Sequence, residues 1–264
     1  METSFEISPG IRISIRNSVG LTVVGRPGSG KSWLLNYIML SLMKNCKIYP
    51  LICDTKLSDL YNLKRFMKRG NPDKRVAGTP PQVAGLLRRV TKLMDERYSN
   101  YNSHWGADWV DAQYMPVLLI CDEYSSTIAQ ADSNTAKEIE NYMKQLVFKA
   151  RQLGGIYILL ASQRITADTL SRNVTSSMSV KIAMERLDSI SLNLAFPECN
   201  VKEIPYIDNI PGHALIYSDT FPNNVPIPII APDLSNVEVP KVFETLDERA
   251  KCNDYVKEDY WPFD

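Results

Sequence analysis

The chain has 264 residues, is 44% apolar, and balances 30 Lys and Arg against 30 Asp and Glu, so its formal net charge is zero. That apolar share supports a packed core and excludes a disordered class, and the length suits one α/β domain. The charge balance argues against a basic, free-standing nucleic-acid coat, while leaving room for a locally basic surface such as the lining of a ring.

Residues 21–24, Leu-Thr-Val-Val, form a β-prone run that leads into Gly25-Arg26-Pro27-Gly28-Ser29-Gly30-Lys31-Ser32. Trp33 opens the helical stretch that follows. A G-x-x-x-x-G-K-S segment between strand and helix is a phosphate-binding loop. Its glycines let backbone N–H groups curl around a phosphate, and the helix points its positive end at the same anion. Residues 25–33 are therefore the expected ATP-binding segment. Lys31 is expected to reach the β- and γ-phosphates, and the Ser32 hydroxyl to sit on Mg²⁺.

A second apolar run spans residues 48–53. Between residues 81 and 98, Val83, Leu86, Leu87, Val90, Leu93 and Met94 recur at helical spacing with charges between them, which predicts an amphipathic surface helix. Residues 99–115 are polar and irregular and read as a loop or partly ordered excursion. The run at 117–121 then ends in Asp122-Glu123. Downstream of a phosphate-binding loop, the first acid is expected to organise Mg²⁺ and the second to polarise the attacking water.

A helical pattern over 136–153 carries Arg151 close to its end. Two readings stand for this residue: a guanidinium donated across a subunit interface to a transferring phosphoryl group, or a solvated arginine favoured by the helix C-terminus. The strand-like run at 156–161 stops at Ser162-Gln163-Arg164. Ligands of open α/β sheets bind at the carboxyl ends of the strands, so Gln163 is expected to face the γ-phosphate. Further apolar runs at 180–184 and 214–217 complete an alternation of strands and helices. The pattern predicts an α/β fold with a mainly parallel sheet covered by helices on both faces. The proline-rich stretch 197–232 reads as turns and edge strands. Residues 1–235 are expected to form the ATPase domain, with 236–264 as a C-terminal tail for which two readings stand, docking on a neighbour or a frayed end, the second favoured slightly.

Five cysteines without a C-x-x-C pair suit a reducing cytosol, and two distant histidines argue against a His/Cys zinc site. No run approaches the ~20 apolar residues that cross a bilayer, and no signal-peptide pattern opens the chain. The expected location is cytoplasmic, with any membrane contact made through partners.

The phosphate-binding loop and acidic strand, with several other segments, resemble the motor domain of the FtsK/SpoIIIE group in the HerA–FtsK superfamily, whose fold is a RecA-like P-loop ATPase. Cys53-Asp54-Thr55-Lys56 is similar to that family's I-D-P-K, and Met94-Asp95-Glu96-Arg97-Tyr98 resembles its E-M-x-x-R-Y. Ala150-Arg151-Gln152-Leu153-Gly154-Gly155-Ile156 resembles G-R-x-x-G-I-H, and Leu160-Ala161-Ser162-Gln163-Arg164 resembles L-A-T-Q-R-P. Val180-Lys181-Ile182-Ala183-Met184 and Pro211-Gly212-His213-Ala214 resemble its later strand and its P-G-x-G turn. Thr55 and Ile165 replace prolines of the family pattern.

Asp54-Thr55-Lys56-Leu57-Ser58-Asp59-Leu60 and Asp122-Glu123-Tyr124 are most similar to FtsK-like coupling proteins of Gram-positive conjugative elements. The resemblance implies ATP-driven translocation of double-stranded DNA by a homo-hexamer, with a relaxase and a membrane-anchored transfer or secretion apparatus as further partners. No anchor, α domain or winged-helix reader is evident beside the motor. Two other readings stand beside this one. The first is a related motor for viral genome packaging, chromosome processing or type VII protein secretion. The second is a nucleotide-gated interaction module that pumps nothing.

Overall fold

The computed structural model describes every residue except 1, 17, 102–103, 164–171 and 250–254. Arg164, Ile165 and Cys252 therefore lie outside the described residues.

A hairpin near the start of the chain, β1 (Ser4–Ser8) and β2 (Ile11–Ser14), lies outside the strands predicted from the apolar runs. Its signal was present in the alternation of Phe5 and Ile7 with Ile13 and Ile15 around Pro9-Gly10. Gly10 takes a left-handed φ of 79° at the turn. The four apolar side chains are buried in the same cluster as helix α1 (Lys31–Cys46), and Tyr37 of that helix donates to the Glu6 carbonyl at 2.9 Å. With the hairpin on one side and the sheet on the other, α1 is apolar around most of its circumference.

The main sheet uses β3 (Gly20–Val24), β4 (Tyr49–Asp54), β5 (Val76–Ala77), β6 (Val117–Asp122), β7 (Ile156–Ser162), β8 (Val180–Met184), β9 (His213–Ser218) and β10 (Ile227–Ile230). Among the described residues the strand order is β10-β9-β8-β3-β7-β6-β4-β5. The strands from β8 to β5 are parallel, and β9 and β10 extend the sheet antiparallel. β3, β4, β6, β7 and β8 are buried along their whole length, which is why they read as continuous apolar runs rather than as alternations. β10 contains Pro228 and lies at the sheet edge, where a missing N–H is tolerated.

Between β4 and β6 lie two short helices, α2 (Asp59–Asn62) and α3 (Pro72–Arg75), and the long α4 (Pro80–Ser99). β6 is followed by α5 (Tyr124–Gln130) and α6 (Ser133–Lys149), and a single π turn over Ala150–Gly154 replaces the helical ending expected up to residue 153. α7 (Arg172–Ser177) precedes β8, α8 (Ser189–Ala195) follows it, and α9 (Val239–Arg249) comes after β10. The apolar stripe of α4 packs with Ile139, Met143, Leu146 and Val147 of α6 on one face of the sheet. α1, the hairpin and Phe243 of α9 pack on the other face.

Two irregular segments are more ordered than their composition suggests. In the excursion before β6, Trp109 is buried and Arg16 pairs with Asp108 at 2.6 Å. The frayed end expected after residue 236 is corrected: Phe243, Asp247 and Phe263 are fully buried. Asp247 meets Arg75 at 2.8 Å, and Glu258 meets Arg97 at 2.7 Å. Paired charges and inserted aromatics dock these residues on the body, a long-range complementarity that local composition does not reveal. No described helix is long and apolar enough to cross a membrane.

Candidate functional site

The parallel strands deliver their polar termini to one edge of the sheet. β7 lies between β3, which leads into the phosphate-binding loop, and β6, which ends in the acids. The loop folds over the ends of β3 and β7, with the Gly25 N–H donating to the Ser162 carbonyl at 3.1 Å. A Cβ on Gly25 would lie 2.6 Å from Ser29 Oγ and 2.7 Å from Met184 Cβ, so only glycine fits at the start of the loop. Gly30 adopts a φ of 91° at the cap of α1, and the loop is braced from outside by the Gly212 N–H, which donates to the Ser29 carbonyl at 2.9 Å. The Pro211-Gly212 turn thus supports the loop directly.

Lys31 starts α1 and turns its ammonium inward, donating to Asp122 Oδ1 at 3.0 Å and Glu123 Oε2 at 3.2 Å. All three side chains are nearly excluded from solvent. Glu123 follows the last residue of β6 and holds a φ of 56°, a left-handed conformation that costs a non-glycine residue about 1–2 kcal/mol. Its partners hold it there. Oε2 also accepts from Lys56 at 3.1 Å, Oε1 accepts the Gln163 backbone N–H at 2.8 Å, and its carbonyl accepts the Thr127 N–H at 3.1 Å. Burial pushes the Glu123 carboxyl up, but the Gln163 N–H together with Lys31 and Lys56 outweighs burial and holds it below the ordinary carboxylate range.

In the sequence Lys56 stands out only through the family resemblance, and nothing local to it predicts its contact with Glu123. The buried Asp54 explains its placement: one carboxylate oxygen accepts the Lys56 N–H at 3.0 Å, and the other accepts the Ser58 and Tyr61 N–H groups at 2.9 and 3.1 Å. This fixes the turn after β4 so that Lys56 projects toward the β6 terminus, its neighbour in the sheet. Thr55, where the family pattern has proline, shares a 3.0 Å hydrogen bond with Thr127 of α5. Treating each parallel strand end as a site candidate would have drawn attention to Asp54 and Lys56.

These groups border a cleft of about 1550 Å³. Arg26, Pro27, Gly28, Gly30, Lys31, Ser32 and Trp33 line it, as do Lys56, Asp122 and Gln163. The far wall is the segment 230–241 leading into α9. Ser32 and Asp122 both line this cleft, and two residues that offer hard oxygen donors beside a phosphate-binding loop suit Mg²⁺. Arg151 is not brought to this cleft. It is exposed on the π turn before β7, at the other end of a strand that spans roughly 20 Å at ~3.3 Å per residue. Among the described residues its side chain makes no hydrogen bond or ion pair.

No family model matches the chain. Over 183 residues it is 26% identical to the FtsK domain-containing protein YdcQ of Bacillus subtilis, covering 67% of this chain and 36% of that protein. Over 238 residues it is 22% identical to the DNA translocase FtsK of Caldanaerobacter subterraneus, covering 86% of this chain and 32% of that protein. The chain spans about a third of the length of these curated relatives. Among solved structures, it superposes on the conjugation coupling protein TcpA, in its monomer form with ATPγS, with a TM-score of 0.73, 18% identity, and coverage of 93% of this chain and 71% of that one. The cytoplasmic domain of the type VII secretion ATPase EccC from Thermomonospora curvata matches with a TM-score of 0.67 and 16% identity, covering 98% of this chain and 32% of that one. The fold is that of the RecA-like P-loop ATPases, and the sequence similarity is to FtsK-type DNA translocases.

Proposed function

We propose that the chain is an ATP-hydrolysing motor that moves double-stranded DNA, working as a homo-hexamer in conjugative transfer. The observation that carries the chemistry is the buried cluster of Lys31, Asp122 and Glu123 at the mouth of the phosphate-binding loop. Lys31 already faces two anionic groups, so phosphate oxygens can take their place as its partners. That exchange leaves Glu123, held ionised by the Gln163 N–H and Lys56, to accept a proton from the attacking water. Ser32 and Asp122 would hold Mg²⁺, which when bound offsets charge on the transferring phosphoryl group. Gln163 borders the cleft where a γ-phosphate would lie. Arg151, exposed and distant from its own cleft, suits donation to a neighbouring subunit's site. The similarity to FtsK translocases supports DNA as cargo, and the likeness to a conjugation coupling protein supports transfer as the process. A relaxase and a membrane-anchored transfer apparatus are the partners this role requires.

The test is ATP turnover by purified protein with and without linear double-stranded DNA. Glu123→Gln should keep binding an ATP analogue while turnover falls roughly 10²–10⁴-fold, the usual weight of a general base. Lys31→Ala should lose binding itself. Sedimentation should show assembly promoted by nucleotide analogue or DNA. Stimulation by a secretion substrate instead of DNA would assign protein cargo, and binding without turnover under every condition would reduce the chain to a nucleotide-gated module.

A further inference from the structure

The π turn that presents Arg151 is held at several points by residues outside it. Arg97, at the end of α4, is 1% exposed and donates from Nη1 to the Gly154 carbonyl and from Nη2 to the Met115 carbonyl at 2.8 Å. Its neighbour Tyr98 donates its hydroxyl proton to the Lys149 carbonyl at 2.8 Å, and the Tyr98 hydroxyl oxygen accepts the Leu153 N–H at 3.5 Å. From the excursion before β6, the Trp109 N–H donates to the Gln152 carbonyl at 3.0 Å. Contacts therefore fall at 149, 152, 153 and 154, on both sides of Arg151, whose side chain is left exposed.

The arrangement requires a buried guanidinium, which is tolerable only when its charge is paired. Glu258 supplies the partner in a two-pronged geometry, with Oε2 at 2.7 Å from Arg97 Nε and Oε1 at 2.7 Å from Nη2. Gly155, at a φ of 59°, leaves the space that Arg97 and Trp109 occupy: a Cβ there would lie 3.0 Å from Trp109 Cβ and 3.1 Å from Arg97 Nη1. π turns are rare and are found disproportionately at functional sites. This one combines external anchoring with one exposed, unpaired arginine.

We propose that Arg97 and Tyr98 are positioning residues for Arg151: they fix the turn so that the guanidinium is presented in one orientation on the subunit surface. Glu258 serves the same end by keeping Arg97 paired. The inference rests on the reading above that Arg151 acts on a neighbouring subunit's nucleotide.

Tyr98→Phe is the cleanest probe, because it removes one hydroxyl and keeps the packed ring. Turnover should fall roughly fivefold, the weight of about one hydrogen bond, while ATP-analogue affinity stays within about twofold. Arg97→Lys, which keeps the charge and loses the fork, should cost more than about tenfold in turnover with the same unchanged affinity. Two readouts separate positioning from general destabilisation. In an Arg151→Ala background neither substitution should lower the residual turnover further, since nothing remains to position. Mixed with Glu123→Gln protein, Tyr98→Phe protein should recover activity, because its intact Glu123 sites receive a well-held Arg151 from the neighbour. An undiminished loss in the Arg151→Ala background, or wild-type turnover by both Tyr98→Phe and Arg97→Lys, overturns the inference while leaving the role of Arg151 standing. Wild-type turnover by Arg151→Ala alone overturns that role, and the positioning inference with it.

Discussion

Removing the carboxylate of Asp247 is a direct test of how α9 is held to the body. The side chain is fully buried and accepts from Arg75 Nη2 at 2.8 Å and Nη1 at 3.0 Å, from the Lys68 N–H at 2.7 Å and from the Arg69 N–H at 3.0 Å. Arg75 is equally buried, lies 4.3 Å from the centre of the Tyr49 ring, and among the described residues its guanidinium otherwise donates only to the Arg69 and Pro50 carbonyls. Asp247→Ala therefore strands a buried guanidinium and two backbone N–H groups. Breaking one side of such a pair costs about 3–5 kcal/mol. At about 2–4 °C per kcal/mol for a domain near this size, the melting temperature should drop by roughly 6–20 °C. The assay is urea unfolding with thermal melting, and the double variant Arg75→Met/Asp247→Leu should be less destabilised than Asp247→Ala alone.

The pH dependence of this effect has a definite sign. Burial pushes the Asp247 carboxyl up, but Arg75 and Arg69 outweigh it and hold it below the ordinary range. Its stabilising contribution is thus fully present above the unfolded value of ~3.9 and is lost as pH falls through the lower folded value. The gap between wild type and Asp247→Ala should be constant between about pH 5 and 8 and close in acid. A loss under about 1 kcal/mol at pH 7 with an unchanged urea slope would refute the claim that this pair anchors the helix.

Gly30→Ala should damage nucleotide binding more than folding, because a left-handed φ of 91° is strained for alanine and the new Cβ would lie 3.3 Å from the Gly212 nitrogen. Calorimetric titration with an ATP analogue, set beside a thermal melt, separates the two effects. Lys56→Met takes one donor from Glu123 and should raise its depressed pKa, moving the acid limb of kcat/KM to higher pH. An unmoved limb would show that Lys56 does not set the charge state of this carboxylate.

Much of this protein was legible in local sequence. The strands β3, β4, β6, β7 and β8 showed as apolar runs because burial on both faces removes any need for alternation. The phosphate-binding loop showed because its backbone path demands glycines at fixed spacing between a strand and a helix. Asp122, Glu123 and Gln163 could be anticipated because parallel strands bring their carboxyl ends to one edge. Only the tertiary structure decided that β7 separates β3 from β6, which lets the Gln163 N–H reach Glu123 and Lys31 span both acids. It also decided that Asp54 aims Lys56 at Glu123, that Arg151 faces away from its own cleft, and that Asp247 and Glu258 dock the last residues of the chain. The difference is physical. A motif records constraints between residues close in sequence, whereas strand order and buried ion pairs join residues from 40 to 172 positions apart, whose meeting is fixed only when the whole sheet and its helices pack.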